Sequence, residues 1–277
     1  MGETVERCGC AVDMPLALPG EGQRIERMQG HWLLARAGKR VLRPGGLDLT
    51  RRMLDVLAIS EKDRVVEFAP GLGITAGLVL RDNPMRYCAV ERDPVAAKRL
   101  QAQLPRNRGQ VVQARAEDSG LPGGSATVVY GEAMLSMQTA DQKERIVSEA
   151  VRLLAPGGRY GIHELCLRPD DISEDERREI ASAMSRELHV GVQPLCRSEW
   201  MTLLERHGLK PIWTGEAAMD LLEPRRMLRD EGLRGCLRIA FNLVRDPVVR
   251  RRIGTMRRVF CKYRGHMGAI CIVGVRV

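Results

Sequence analysis

Two apolar periods divide this chain. Near its start Ile25, Met28 and Trp32 recur at i, i+3 and i+7, which predicts an amphipathic helix over residues 23–37, ended by Gly38. The turn Arg43-Pro44-Gly45-Gly46 leads into a second helix with Leu49, Met53, Leu54 and Leu57 on one face. From Asp63 the period changes. Short runs rich in β-branched and aromatic residues, at 63–68, 86–90, 110–114, 126–130 and 160–165, predict strands separated by helical segments. Asp93 and Pro94 fit the N-cap and first helical position, and Ile146, Val147, Ala150, Leu153 and Leu154 form a helical stripe before the fifth strand.

After that strand the alternation is interrupted. Ser173 and Glu176 fit a capping box for a helix carrying Ile180, Met184 and Leu188, and Ser198 opens another through Trp200, Leu203 and Leu204 to Gly208. Residues 209–216 and 269–277 predict two more strands; between them Asp246 and Pro247 open a helix with Val249, Ile253, Met256 and Phe260 on one side. The fold class is therefore α/β: a doubly wound, mostly parallel seven-stranded sheet with helices on both faces, an N-terminal helical cap and helical insertions late in the chain. At 277 residues one globular unit suffices: arm and cap over 1–60, core over 61–168, and a C-terminal part over 169–277 with insertions near 171–197 and 223–265.

The chemistry concentrates at residues 63–75, DRVVEFAPGLGIT, where a strand runs into a glycine-rich turn and a helix start. Gly71-Leu72-Gly73-Ile74-Thr75-Ala76 has dinucleotide-type spacing, common to NAD enzymes and to S-adenosylmethionine (SAM) enzymes, and Gly73 leaves room for a ligand against the backbone. Glu67 distinguishes them, because a carboxylate inside the first strand is costly unless it pairs with a core arginine or faces a cationic ligand. Glu67-Phe68-Ala69-Pro70-Gly71-Leu72-Gly73 resembles the first motif of the class I SAM-dependent methyltransferases, and Leu154-Ala155-Pro156-Gly157-Gly158 resembles that family's turn before the fifth strand. Glu91, about twenty residues beyond the glycines at the end of the second strand, stands where an acidic side chain accepts hydrogen bonds from ribose hydroxyls.

The resemblance implies S-adenosyl-L-methionine as cofactor, with S-adenosyl-L-homocysteine as product, held by Glu67, Ala69, Pro70, Gly71, Gly73, Glu91, Arg92, Ala116, Glu117 and Gly131. Where many members carry G-D-A after the third strand this chain has Ala114-Arg115-Ala116, so the Ala116 backbone and Glu117 would replace the usual acid. The family's nucleobase-directed amino methyltransferases carry N/D-P-P-Y/F where this chain reads Tyr130-Gly131-Glu132-Ala133. That leaves a small-molecule acceptor as the leading expectation. Methyl transfer is an in-line displacement needing close positioning and, for an alcohol or amine, a base. Glu132 and His163 are the candidate catalytic residues, with Glu164 as an alternative; His163 and Glu164 alternate along a strand, so at most one faces a pocket. His31, Trp32 and Tyr130 are candidate acceptor contacts.

Composition narrows the class. No apolar run approaches the roughly 20 residues of a membrane span, and MGETVERCGC lacks a signal-peptide stretch, so a cytoplasmic protein is expected. Eight scattered cysteines are too sparse for a disulfide scaffold, and the C-x-C at Cys8 and Cys10 has no His or second Cys pair to complete a metal site, so no metal is assigned. The net charge of +9 is local: residues 223–265 hold thirteen basic and four acidic side chains. That segment is either a solvated face, a lid attracting an anionic acceptor, or a surface for nucleic acid or membrane, and the absence of an aromatic stacking set disfavours nucleic acid. An RNA methyltransferase, a non-catalytic SAM-binding regulator and an NAD oxidoreductase stay as alternatives, and a homodimer is compatible with all of them.

Overall fold

The computed structural model describes residues 18–20 and 22–277; Cys8, Cys10 and most of the expected arm lie outside the described residues. The β-branched run Arg64–Phe68 forms β1 in the middle of the parallel half of the sheet, with β2 (Arg86–Val90) on one side and β4 (Ala126–Glu132) on the other. Strand β3 (Gly109–Val112) extends beyond β2, and β5 (Leu154–Leu167) pairs with β4 in the same direction. Beyond β5 the sheet turns antiparallel through β8 (Met267–Arg276) and then β7 (Leu209–Ala218), giving the order β3-β2-β1-β4-β5-β8-β7. A two-residue β6 (Leu195–Cys196) pairs with the far end of β5 and makes an eighth strand that the sequence pattern did not announce.

The chain winds outward from β1 to β3 and then returns to start β4 beside β1. This reversal opens a crevice past the C-terminal ends of β1 and β4. Helices α3 (Ile74–Val79), α4 (Pro94–Gln101) and α5 (Ala140–Leu153) make the crossovers, and the Asp93 carboxylate caps α4 by accepting from the Val95 and Ala96 amides. On one face of the sheet α2 (Gly46–Leu57) buries Leu49, Met53 and Leu57 against Val65, Val128 and Cys271. On the other, α5 and α7 (Arg197–Arg206) bury Ile146, Val147, Ala150, Trp200 and Leu204, with the Trp200 indole donating to the Leu165 carbonyl at 3.0 Å.

A third apolar cluster joins segments far apart in sequence. Leu33 and Leu34 of α1 (Gly30–Arg36), Ile180, Met184 and Leu188 of α6 (Glu174–Leu188), and Met256 and Phe260 of α9 (Pro247–Lys262) pack with Leu165 and Leu167 at the end of β5. The N-terminal cap and the late insertions thus form one roof over the strand ends. The capping box of Ser173 and Glu176 starts α6, and Asp246 caps α9, as their spacing predicts.

The helix expected over 23–37 is instead a single turn at Ile25–Arg27 followed by α1, because Met28 and Gln29 are extended. Gly30 restarts the helix where a Cβ would lie 2.5 Å from a Leu188 methyl, so close approach of α1 to α6 sets the break. The first insertion helix α8 (Pro224–Arg245) is interrupted at Gly232, whose φ of 68° only glycine adopts readily.

Candidate active site

The turns after four parallel strands line one cavity of about 370 Å³, within the range of ligand pockets. They contribute Ala69 to Leu72 after β1, Glu91 to Asp93 after β2, Arg115 to Glu117 after β3, and Glu132 to Met134 after β4. The β1 turn puts Ala69, Gly71 and Gly73 in the left-handed region. A Cβ on Gly71 would meet no atom within 4 Å, whereas one on Gly73 would stand 2.6 Å from a Leu100 methyl. Gly71 therefore keeps the cavity side of the turn open. Gly73 does not line the cavity, and its missing side chain makes room for α4 rather than for a ligand.

Glu91 ties this turn to the end of β2. Its carboxylate accepts from the Gly71 amide at 3.3 Å and the Asp93 amide at 3.0 Å. Burial raises its pKa, with those amides pulling it back. Glu67 also borders the cavity, but it is no partner of a core arginine: its carboxylate accepts from the hydroxyls of Tyr87 and of Tyr130, the latter at 2.6 Å. Burial pushes its pKa up to about 7, only partly offset by the two tyrosines.

Glu132 is the centre of a buried polar knot. Its Oε1 accepts from the Thr50 hydroxyl at 2.5 Å, lies 3.1 Å from Arg43 Nε and 3.0 Å from His163 Nδ1, and its Oε2 accepts from the Thr75 hydroxyl. His163 Nε2 reaches the Pro44 carbonyl at 2.6 Å, to which only an N–H can donate. Burial would raise the pKa of Glu132, but the charge of Arg43 and the bonds from His163 and Thr50 outweigh it and hold the group at about 2. A carboxylate of that acidity is a poor proton acceptor. The knot positions a loop instead: it holds Arg43, which lines the cavity, whose Nε donates to Thr50 at 2.7 Å and whose Nη2 is buried without a hydrogen-bond partner among the described residues.

The roof supplies a second, apolar end to the cavity, lined by Trp32 and Leu34 of α1, Met184 and Leu188 of α6, Leu165, Met219, Leu221 and Phe260 of α9. His31 stands beside it with its ring 4.5 Å from that of Trp32. Burial and the neighbouring Arg92 charge lower its pKa to about 4, so it is neutral near pH 7.

Of the residues expected in the site, Glu67, Ala69, Pro70, Gly71, Glu91, Arg92, Ala116, Glu117, Glu132, His31 and Trp32 line the cavity. Gly73, Gly131, Tyr130 and His163 do not. Tyr130 is fully buried and spends its hydroxyl on Glu67, so it forms no acceptor wall. His163 is fully buried, with its Nδ1 against Glu132, and does not line the cavity. Glu164, on the opposite strand face, accepts from the amides of Met134, Leu135 and Ser136 and fixes the turn after β4. Arg43, Thr75 and the methionine wall escaped sequence reasoning: Arg43 sits in a turn with no periodicity, and its signal is only a charged residue before Pro-Gly-Gly. Among the described residues no group of three or more His, Cys, Asp or Glu is placed to hold a metal ion, and no helix is long and apolar enough to cross a membrane.

A methyltransferase-domain family model matches residues 66–162, the span from β1 into β5. An uncharacterized protein of Haemophilus influenzae is 30% identical over 220 residues, covering 78% of this chain and 86% of its own length. Among solved structures, the MccD protein superposes with a TM-score of 0.65 at 15% identity, over 85% of this chain and 99% of that one. Geranyl diphosphate C-methyltransferase from Streptomyces coelicolor, solved with Mg2+, geranyl diphosphate and S-adenosyl-L-homocysteine, gives 0.58 at 17% identity over 83% and 77% of the two chains. Matched along its sheet by the domain model and along most of its length by a relative, with the acid, glycine turn and switch-point cavity in place, the chain belongs to the class I SAM-dependent methyltransferase family.

Proposed function

We propose that this protein transfers the methyl group of SAM to a small acceptor that has an apolar body and an anionic end. The observation that carries this reading is the continuity of one cavity from the glycine turn to the apolar roof, with the Arg43 side chain among its lining. The donor fits the polar end: the open side of Gly71, the Glu91 carboxylate for ribose hydroxyls, and Glu67 for positive charge. When bound, the donor supplies a methyl group activated on a sulfonium. The protein then supplies position and a dry environment, which alone account for much of the rate in such displacements. Arg43, pre-oriented by Thr50 and Glu132, would bind the acceptor's carboxylate or phosphate, and Trp32, Met184 and Phe260 would enclose its body. An anionic nucleophile needs no base; a protonated one would meet neutral His31.

The solved relative that acts on geranyl diphosphate handles an acceptor of the same general character on this fold. The basic segment 223–265 contributes only Phe260 to the cavity, so the acceptor's charge would be read by Arg43 rather than by that segment, and an RNA acceptor is disfavoured. Labelled SAM incubated with metabolite fractions separated by charge and polarity should give methyl transfer chiefly in the apolar acid fraction. Arg43→Gln should raise the acceptor KM about tenfold or more, the loss of one charged hydrogen bond. Transfer confined to cationic or strongly polar fractions would overturn the assignment.

A further inference from the structure

The second half of α8 presents an apolar face that no described residue covers. Of the ten large apolar side chains exposed among the described residues, six lie between Leu228 and Val248. Leu233, Leu237, Phe241 and Val244 are 68, 61, 58 and 71% exposed. At helical spacing these four fall within an arc of about 80°. Ile239 and Gly235, on the inner side, are buried, so the helix is anchored and its outer stripe is not what holds it in place.

The charge beside this stripe states what would cover it. From Gly232 to Arg264 the chain has ten basic residues and one acidic residue, Asp246, which caps α9. Arg234 and Arg245 border the stripe, Arg245 lying over the Phe241 ring at 5.3 Å, and Arg250 and Arg251 continue the basic surface at the start of α9. Arg234, Arg250 and Arg251 make no ion pair among the described residues, whereas the far end of α9 is neutralised by Arg257 with Glu223, Lys262 with Glu179 and Arg264 with Asp220. Unpaired arginines around exposed leucine, phenylalanine and valine are the chemistry of a helix lying in an anionic lipid interface. A second copy would set the same arginine rows against each other.

We propose that the outer face of α8 and the first turn of α9 dock on an anionic membrane surface. The helix that carries this face also holds a loop of the cavity wall. Its first half holds the loop that carries Arg40 to Pro44: Asp230 accepts from the Leu47 amide at 3.1 Å, and Glu231 accepts from the Arg40 and Val41 amides at 2.9 Å each. Its second half reaches the same loop through Arg238, donating to the Gly38 carbonyl at 2.8 Å, and Asn242, donating to that of Ala37 at 3.1 Å. Docking therefore sets on the bilayer a helix that is bonded to the wall of the site, and it stands whether or not the acceptor is the one proposed above.

Flotation of the full chain with vesicles tests it. The wild type should bind phosphatidylcholine vesicles containing phosphatidylglycerol, bind pure phosphatidylcholine about tenfold or more weakly, and release with salt. The double variant Leu237→Asp/Phe241→Asp, at exposed positions that should leave the melting temperature unchanged, should lose about tenfold or more of this binding. Arg250→Glu/Arg251→Glu gives an independent reading and should weaken binding to the anionic vesicles only. The inference is overturned if the wild type ignores lipid charge or does not bind, or if sedimentation shows a dimer that the Leu237→Asp/Phe241→Asp variant dissociates while vesicles stay free of protein.

Discussion

Glu67 carries the most telling single-residue consequence. Its carboxyl ionises near 4.5 in an unfolded chain and near 7 in the folded one, so folding takes up a proton between those values. A raised carboxyl pKa means that this contribution to stability falls as pH rises from about 4.5 to 7, by about 3 kcal/mol in all. Glu132 has the opposite sign: held at about 2, it contributes stability that is complete above about 4.5 and lost below, outside the first window. Denaturant titrations from pH 5 to 8 should show wild type losing stability relative to Glu67→Gln across that range. Parallel pH profiles would show that Glu67 ionises normally in the fold. The same residue shows how far a sequence reaches. An acid inside an apolar strand signals that something must compensate it, yet the two tyrosines that do so come from neighbouring strands, Tyr87 on β2 and Tyr130 on β4, and only sheet register brings them to it. His163 illustrates the reverse: a histidine at a strand end reads as catalytic, while its burial between Glu132 and Pro44 makes it a support.

At the scale of elements, what was legible followed periodicity and caps. The parallel strands, α5, α6 and α9 carry strong local signals, and the structure places them as those signals say. Less legible were elements set by tertiary contact: the break between Ile25–Arg27 and α1, which depends on Gly30 against Leu188, and β6, which exists only by pairing with β5. The loop between α1 and α2 is the clearest case. Lys39 is buried, and burial lowers its pKa; its nearest acid is Glu231 of α8, 192 residues away, at 3.4 Å. Glu231 also accepts the Arg40 and Val41 amides, so one side chain closes the loop that carries Arg43. Glu231→Ala should destabilise the fold by about 3–5 kcal/mol, because it strands a buried ammonium and two amides. A loss below 1 kcal/mol by chemical denaturation would mean that the loop is held elsewhere.

For the molecule as a whole, the sheet and the roof divide the labour. Parallel strands converge on the polar end of the cavity, whose lining clusters in sequence, so Glu67, Gly71 and Glu91 were within reach of motif, charge and spacing. The apolar end is assembled from α1, α6 and α9, elements spread over more than two hundred residues of sequence, so its Met and Phe wall reads as ordinary core until the chain is folded. The proposed reaction requires the donor to fill the polar end of that one cavity. The most direct test is calorimetric titration of SAM and of NADH into the wild type and Glu91→Ala. SAM should bind the wild type, NADH should not, and Glu91→Ala should weaken SAM by about tenfold or more, the loss of a charged hydrogen-bond acceptor to the donor. NADH binding in the absence of SAM binding, or SAM affinity untouched by Glu91→Ala, would contradict it.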